Sequence, residues 1–436
     1  MATAAAGAAA ATVAAGVAIT MGPVGVAIPL ALALCLLLIR EPLALLTLFV
    51  YIGLFKEQGV VKALPFDITG GLGVLLVGVC FSRFASGRAR TVPLGLVAPV
   101  AVIAVMLVIS LHWTPSPEYG TDKTVKFVTL TLLAMLAPFF LIESQRDVRR
   151  YLAWLIVVAV LAAAVTVIHP PADSNRLTIG SLGNTIGVSQ LMCTAAAILL
   201  VGALTDVLPA RLWAVALALG LMAVAAAVGS RGPLFSLAIA LVATGAVWLA
   251  RVPRKVLPVL GVVVVGVALL PFISLPQASS QRLGRAVRDP VGSLRADARS
   301  TTFGEAINLI KDHPLVGVGA GGFQSVGTLA HPPEDYPHNL FLEVWSELGL
   351  AASTALITSI IFVLSDIWRG AWRLAPRPGG GLLYVVSAVV VFNLLAAQVS
   401  GDINENRAFW VSFGLAWLLV RHGGLLTPPL RGDAHA

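Results

Sequence analysis

Apolar runs of about 20 residues recur along most of the chain, separated by short polar stretches. A helix of about 20 apolar residues crosses the hydrocarbon core of a bilayer, so each run predicts a transmembrane helix. Gly22-Pro23 interrupts the first run, and the second run is short for a core of about 30 Å. We therefore predict an all-α, polytopic transmembrane helical bundle with about 12–14 spans. The runs lie at 13–39, 42–55, 66–82, 93–112, 124–142, 150–168, 183–204, 211–229, 232–250, 256–275, 339–364, 382–399 and 408–421.

The composition excludes an ordinary soluble domain. Hydrophobic residues make up 58% of the 436 residues and charged residues 11%, whereas soluble domains carry about 25% charged residues. The net charge of +8 does not indicate nucleic-acid binding, because the basic residues flank the predicted spans. Cys35, Cys80 and Cys193 all lie within apolar runs, so we interpret them as buried hydrophobic residues and not as disulfides or metal ligands.

The basic residues indicate the orientation of the chain. Clusters at 83–90, 146–150, 251–255 and 369–377 occur at every second connection. Basic residues accumulate in short cytoplasmic loops, so these connections are predicted to be cytoplasmic. The alternate connections, at 113–123, 169–182, 229–232, 276–338 and 400–407, then face outward.

The long hydrophilic stretch divides the chain into three parts. N-terminal transmembrane helices occupy 1–275, and an extracytoplasmic loop occupies 276–338. C-terminal transmembrane helices with a short cytoplasmic tail occupy 339–436. Within the loop, residues 299–312 are predicted to form an amphipathic helix, because apolar residues recur there at helical spacing. Its predicted apolar face consists of Phe303, Ala306, Ile307 and Ile310.

The polar residues that begin the span at 339–364 are the strongest candidates for chemistry. His338 precedes Asn339, Glu343 and Glu347, which share one helix face at positions i, i+4 and i+8. Ionisable side chains close to hydrocarbon are costly and are usually paired or functional. We expect Glu343 either to orient His338 or to pair with an outer Arg. The alternative interpretation is a helix cap at the membrane interface.

Two outer arginines are candidates for binding an anionic group. Arg231 lies in the short turn 229–233, and Arg299 begins the predicted amphipathic helix. Arg suits phosphate because its planar fork donates two parallel hydrogen bonds. Alternatively, Arg231 extends to lipid phosphate, and the helix lies on the membrane surface with a solvated polar face. We interpret Arg282, Arg285, Arg288 and Arg295 as solvated charges.

Two segments resemble known binding motifs only superficially. The glycine-rich segment 317–322 follows no predicted strand and precedes no P-loop Lys, so it predicts a tight turn with close backbone approach and not a nucleotide site. The segment 331–338 contains two His residues, but its prolines prevent the helical spacing of a zinc site. We therefore predict no metal site and no cofactor.

Three places in the sequence resemble the O-antigen ligase and O-antigen polymerase superfamily of bacterial envelope enzymes. The first is Arg299-x-x-x-Phe303-x-x-Ala306 followed by Pro314-x-x-Gly317-x-Gly319; Phe303 stands where the family often has Trp. The second is His338-Asn339 with Glu347-x-Gly349. The third is Ser230-Arg231-Gly232. Arg176 with Gly180 and Asn184 also looks like a family segment, and the resemblance covers roughly 170–420.

The resemblance implies a fold like that of the C-type glycosyltransferases, in the bacterial inner or plasma membrane. It implies an enzyme that passes a glycan from a polyprenyl-pyrophosphate carrier to an acceptor hydroxyl on the extracytoplasmic face. The partners would be this lipid-linked donor, a glycan or lipid-glycan acceptor, and membrane lipids. On this basis His338 is the expected general base, and Arg231 and Arg299 bind the pyrophosphate. Arg176, Asn184, Asn339 and Glu343 are expected to support them.

Other functions remain open at this point. A ligase and a polymerase need the same outer residues, so the sequence does not separate them. A transporter or flippase for lipid-linked glycans is the main alternative, and it should carry ionisable groups or broken helices near the membrane midplane. A non-catalytic assembly partner would not need the Arg and His residues.

Overall fold

The structure is a computed structural model, and it describes residues 33–56, 67–168, 185–205, 207–208, 211–251, 298–326, 335–374 and 380–422. Within these ranges the chain forms helices and turns, with no strand. We number the helices as follows: α1 Ala33–Arg40, α2 Pro42–Tyr51, α3 Ile68–Ala85, α4 Leu94–Ser110, α5 Pro117–Leu141, α6 Gln145–Ile168, α7 Thr185–Leu204, α8 Arg211–Val228, α9 Arg231–Arg251, α10 Ala298–Asp312, α11 Phe323–Val326, α12 Leu340–Leu374, α13 Gly380–Ala396 and α14 Arg407–Arg421.

The helices confirm the predicted fold class, a polytopic helical bundle. Among the described residues, seven helices are long and apolar enough to cross a membrane: α3, α5, α6, α7, α8, α9 and α12. An eighth arises if α1 and the helical segment Pro42–Phe55, which meet at 111°, form one span. The chain is therefore a multi-pass membrane protein. The predicted span at 256–275 and most of that at 13–39 lie outside the described residues, so the total of 12–14 stays a prediction.

Two predicted spans have different boundaries in the structure. The span placed at 124–142 begins earlier, at Pro117, so Lys123 lies inside a helix and not in a loop. Charged residues lower hydropathy, which placed the predicted boundary too late. The span placed at 339–364 continues to Leu374 and is broken at Gly349, whose backbone has φ 75° and ψ −168°.

Helix α7 forms the centre of the bundle. Of its most apolar segment, 83% of the residues are buried, the highest share among the seven candidate spans. It packs against α6, α8, α9 and α13, and small residues such as Ala195–Ala197 permit this close approach. Helix α14 packs on α5, and α12 packs on α4 and α10. The outer helices α3 and α4 leave large apolar side chains such as Val74 and Leu94 exposed, as expected for contact with lipid.

The polar residues gather at two opposite ends of the bundle. At one end, which we call the basic end, Arg150 pairs with Glu41 at 2.6 Å, Arg83 pairs with Glu143, and Arg421 lies 3.4 Å from Asp366. The other end, which we call the polar end, carries the start of α12 and the turn 401–406. The structure therefore gathers the predicted cytoplasmic clusters at 83–90 and 146–150 at one end, together with the described part of the cluster at 369–377.

Candidate functional site

Helix α12 begins with a side-chain cap. Asn339 Oδ1 accepts hydrogen bonds from the backbone N–H groups of Phe341 and Leu342, both at 3.0 Å. These groups have no partner within the helix, and an Asn at this position satisfies them. Asn339 Nδ2 donates to the Gln398 carbonyl at 3.1 Å. Asn339 therefore both caps α12 and fixes its start against the turn 397–400.

His338 is held in an unusual backbone conformation immediately before this cap. Its φ is 56°, the only positive φ of a non-glycine residue in the described part of the chain. This left-handed region is uncommon for residues with a side chain, and such strain is concentrated at functional sites. The imidazole packs edge-on to Tyr336, with ring centroids 4.4 Å apart. His338 Nε2 lies 3.8 Å from Asp335 Oδ1, and 28% of the side chain is exposed.

Glu343 has a different partner from the one we expected. Lys123 Nζ on α5 lies 2.6 Å from Glu343 Oε1 and 2.6 Å from Glu347 Oε2. All three side chains are at most 2% exposed. The expectation that Glu343 orients His338 or pairs with an outer Arg is therefore wrong, and His338 pairs with the carboxylate of Asp335 instead. The predicted shared face of Glu343 and Glu347 is confirmed, because both reach one ammonium group.

Lys123 was missed because the sequence placed it in an outer loop. One signal was available: a Lys lies at the edge of an apolar run, and two carboxylates lie one helical turn apart in another run. A buried charge is tolerated when it is paired and hydrogen-bonded. The sequence alone gives no means of pairing residues that are more than 200 positions apart.

Three further hydrogen bonds connect this charged cluster to neighbouring segments. We call Lys123, Glu343 and Glu347 the buried triad. The Ile403 N–H donates to Glu343 Oε1 at 3.1 Å, and the Gly321 N–H donates to Glu347 Oε2 at 3.0 Å. Asn404 donates to the Lys123 carbonyl at 2.9 Å and accepts from Thr131 at 2.9 Å. The buried triad thus joins α5, α12, the glycine-rich segment and the turn 401–406.

The glycine-rich segment and the residues just before it form backbone hydrogen bonds at the break in α12. A helix break leaves backbone groups without their helical partners. Here they bond to the glycine-rich segment instead, through Val318 N–H to the Ser346 carbonyl at 2.9 Å, Gly319 N–H to the Glu347 carbonyl at 2.9 Å, and Leu350 N–H to the Leu315 carbonyl at 3.1 Å.

This contact is too close for side chains. A Cβ at Gly349 would lie 2.2 Å from the Leu315 carbonyl oxygen, and one at Gly317 would lie 2.4 Å from the backbone of Glu347. Both glycines also have positive φ, which glycine adopts at little cost. The prediction of a tight turn with close backbone approach is confirmed.

Tyr336 connects the turn 401–406 to His338. The Tyr336 hydroxyl donates to Glu405 Oε2 at 3.0 Å. Burial raises the pKa of the Tyr336 phenol, with Glu405 contributing in the same direction, so Tyr336 stays protonated and is the hydrogen-bond donor. Asp402 Oδ1 accepts from the N–H groups of Asn404 at 2.8 Å and Glu405 at 2.6 Å. These bonds fix the shape of the turn, and thereby the surface against which the His338 ring packs.

Arg231 lies at the same end of the bundle as His338. It begins α9 and is partly buried. A Cβ added to the adjacent Gly232 would lie 2.9 Å from the Val399 side chain, so the start of α9 contacts the turn 397–400. Asn339 donates to Gln398 in that same turn. Arg231 and His338 are therefore each adjacent in sequence to a residue that contacts this one short turn.

Arg299 lies in the first turn of α10, and its side chain lies outside the described part of the structure. The buried face of α10 differs slightly from the predicted one, because Ile307 is 43% exposed. Leu309 is buried in its place, since it follows Ala306 at the spacing that faces the protein. A small apolar cluster attaches α10 to the start of α12 and consists of Ala306, Leu309, Val318 and Phe323, with Leu342 packed against it.

The remaining predicted residues can be placed only in part. Arg176 and Asn184 lie outside the described residues, as do the first four residues of the segment 331–338. Among the described residues, no three His, Cys, Asp or Glu side chains are grouped as metal ligands.

Comparison with known families gives a match to one part of the chain. Residues 213–357 match the family model described as O-antigen ligase. Over these residues the chain is similar to the O-antigen ligase family. This confirms the resemblance, and the matched region includes Arg231, Arg299 and His338 but neither Arg176 nor Asn184. No curated protein matches the chain.

The family assignment supports O-antigen ligase-like glycosyltransferase activity in general. It implies a lipid-linked glycan as donor and a glycan as acceptor.

Proposed function

We propose that this O-antigen ligase family protein transfers a glycan from a polyprenyl-pyrophosphate carrier to an acceptor hydroxyl. The observation that carries the proposal is the position of His338. The imidazole is fixed at the capped start of α12, and the start of α9 with Arg231 contacts the same turn 397–400. These contacts support His338 as the base and Arg231 as a pyrophosphate ligand of one site.

The proposed reaction is a direct displacement. The acceptor hydroxyl loses its proton to the imidazole of His338 as its oxygen bonds to the anomeric carbon. The bond from that carbon to the pyrophosphate oxygen breaks, and the pyrophosphate leaves with the electron pair. Attack opposite to the leaving group inverts the anomeric centre. Imidazole suits this role because its ordinary pKa, near 6.5, allows it to accept a proton at neutral pH.

Asp335 and the two arginines have separate roles in this proposal. Asp335, at 3.8 Å from Nε2, stabilises the imidazolium that forms when His338 takes the proton. Arg231 and Arg299 bind the pyrophosphate and stabilise the charge that it gains as it leaves. Because two guanidinium groups can supply this stabilisation, we propose that transfer needs no metal ion.

We propose that the polar end faces away from the cytoplasm. Basic side chains from several connections gather at the opposite end of the bundle. Such clusters in short loops usually remain on the cytoplasmic side. A donor glycan that has been moved across the membrane would then meet His338 directly.

The test is transfer by the purified protein. The lipid-pyrophosphate-linked glycan is incubated with the protein and either a lipid-linked saccharide or a second donor glycan. We expect a new glycosidic product with one of the two acceptors, which also distinguishes a ligase from a polymerase. The His338→Ala variant is the control and should form no product. Failure of the folded wild-type protein to use either acceptor would refute the proposal.

Two observations bear on a transporter as the second candidate function. The described part of the chain contains an ionisable cluster within helices and a helix broken at Gly349. With a rise of about 1.5 Å per residue, however, Glu343 and Glu347 lie only about 5 and 10 Å from the start of α12. The midplane of the hydrocarbon core lies about 15 Å from its edge. The cluster therefore lies nearer the proposed site than the membrane midplane, where a transport path would bind its substrate. Both carboxylates are also paired with Lys123.

A further inference from the structure

We infer that Lys123 is a positioning residue for His338. This inference rests on the proposed function, in which His338 is the base. Lys123 lies on α5, within a single continuous helix that also packs on α14. Its side chain is 1% exposed, and its ammonium group contacts two carboxylates of α12 at 2.6 Å each. Charge-assisted hydrogen bonds of this kind are short and strong, particularly in a low-dielectric interior.

The first connection from Lys123 to His338 runs through the start of α12. Glu343, which contacts Lys123, donates its own backbone N–H to the Asn339 carbonyl at 2.9 Å. This is the first helical bond of α12, and Asn339 directly follows His338. Lys123 therefore anchors the turn of helix that fixes where the His338 backbone begins.

The second connection runs through the turn 401–406. Glu343 Oε1 accepts from the Ile403 N–H at 3.1 Å, and Lys123 accepts through its carbonyl from Asn404. The same turn carries Glu405, which receives the Tyr336 hydroxyl, and the Tyr336 ring packs on the imidazole. Lys123 thus fixes both the backbone of His338 and the surface against which its ring packs.

A purely stabilising role is a weaker explanation for the buried triad. Replacing a buried ion pair by neutral side chains of similar volume is often neutral for stability or even stabilising. The charges are needed for geometry, because each of the two carboxylates bonds at once to the ammonium group and to a backbone N–H. Neutral replacements would retain the volume but lose the fixed directions.

The variants follow from this distinction. Lys123→Met removes the charge and leaves two buried carboxylates. The triple variant Lys123→Met/Glu343→Gln/Glu347→Gln keeps the side-chain volumes and leaves no buried charge without a partner, so it carries the test if the single variant does not fold. Lys126→Met is the matched control, because Lys126 lies on the same helix but is 49% exposed and pairs with Asp122.

The measurements are the thermal unfolding temperature, kcat, the donor KM, and the rate at which diethyl pyrocarbonate acylates His338. We expect Lys126→Met to match the wild type, because exposed pairs contribute little. We expect the triple variant to unfold near the wild-type temperature, with kcat about tenfold to a hundredfold lower and an unchanged donor KM, because a misplaced base impairs the chemical step. The acylation rate of His338 should change as well.

Two outcomes separate this inference from the proposed function. If the wild type shows no transfer but His338 acylation differs in the triple variant, the positioning role stands and the proposed activity fails. If the folded triple variant retains wild-type kcat and wild-type His338 reactivity, Lys123 does not position His338 and the inference is overturned.

Discussion

Replacing His338 by glycine should separate catalysis from folding. Because His338 has φ 56°, its backbone conformation costs a residue with a Cβ about 1–2 kcal/mol. Glycine removes that cost. The same change removes the edge-on contact with Tyr336 at 4.4 Å, which is worth about 0.5–1.5 kcal/mol. The two effects nearly cancel, so the free energy of unfolding of His338→Gly should stay within about 1 kcal/mol of the wild type.

The effect on the reaction should be much larger. Loss of a general base lowers the rate by about 10²- to 10⁴-fold, which is an increase of about 3–5 kcal/mol in the barrier. A stability change of about 1 kcal/mol cannot produce that loss in a folded protein. His338→Asn provides a second variant, because Asn tolerates a positive φ and carries no titratable group.

The assay combines two measurements on each variant in the same detergent. Thermal unfolding reports the folded fraction, and the initial rate at saturating donor reports the chemical step. We expect both variants to be folded and both to be nearly inactive. Turnover within about threefold of the wild type in either folded variant would refute the assignment of His338 as the base.

The remaining predictions concern the donor, the metal requirement, the fold and the orientation. Arg231→Lys and Arg299→Lys should each weaken donor binding about tenfold, because Lys lacks the bidentate fork; normal donor affinity in both variants would exclude the proposed contacts. Transfer should continue in EDTA, and activity that disappears and then returns with magnesium or manganese would contradict metal independence. Gly349→Ala should lower the unfolding temperature by several degrees, since its Cβ would lie 2.2 Å from a carbonyl oxygen; an unchanged unfolding temperature would mean that the break is not tightly packed. In intact cells, an impermeant maleimide should label a Cys at Ser293 and not one at Ser86, and the reverse pattern would invert the proposed orientation.

The hydrophobic pattern predicted most of the helices well. The observed bounds of α7, α8 and α9 lie within two residues of the predicted spans, because long apolar runs with polar connections between them leave little choice of position. The predicted helix at 299–312 is observed at Ala298–Asp312. Its buried face was predicted less accurately. Ile307 and Leu309 have similar hydropathy, so only the packing of the folded protein decides which of the two is buried.

The site was predicted in part. His338-Asn339 and the carboxylate spacing were visible because polar residues are rare in this chain. Two features depend on tertiary contacts and were not visible. The ammonium partner of Glu343 comes from another helix. The apolar pattern continues on both sides of Gly349, so it gives no sign of the break there. A continuous helix and a broken helix with the same sequence have the same hydropathy profile, so the profile does not reveal the break.

The break at Gly349 explains how a precise site can exist at the end of a lipid-embedded helix. It separates a short segment, residues 340–348, from the longer apolar part of α12. Protein contacts hold the short segment: the cap at Asn339, the buried triad and the hydrogen bonds to the glycine-rich segment. A continuous helix would transmit a tilt of the spanning part to this segment. Because the helix is broken at Gly349, the position of the segment depends little on how the spanning part tilts in the bilayer.

The same short segment contacts the elements proposed for proton transfer and those proposed for pyrophosphate binding. Leu342 packs against the apolar cluster that holds α10, the helix that carries Arg299, while Asn339 fixes the turn 397–400 that the start of α9 contacts. The proposed base and the helices that carry the proposed pyrophosphate ligands are thus attached to nine residues of α12. A change that displaces this whole segment should impair donor binding and proton transfer together. Loss of Lys123 leaves the Asn339 cap and the Leu342 contact in place, so it should misorient His338 and spare donor binding. The ratio of the effects on kcat and donor KM therefore distinguishes movement of the whole segment from misorientation of His338 alone.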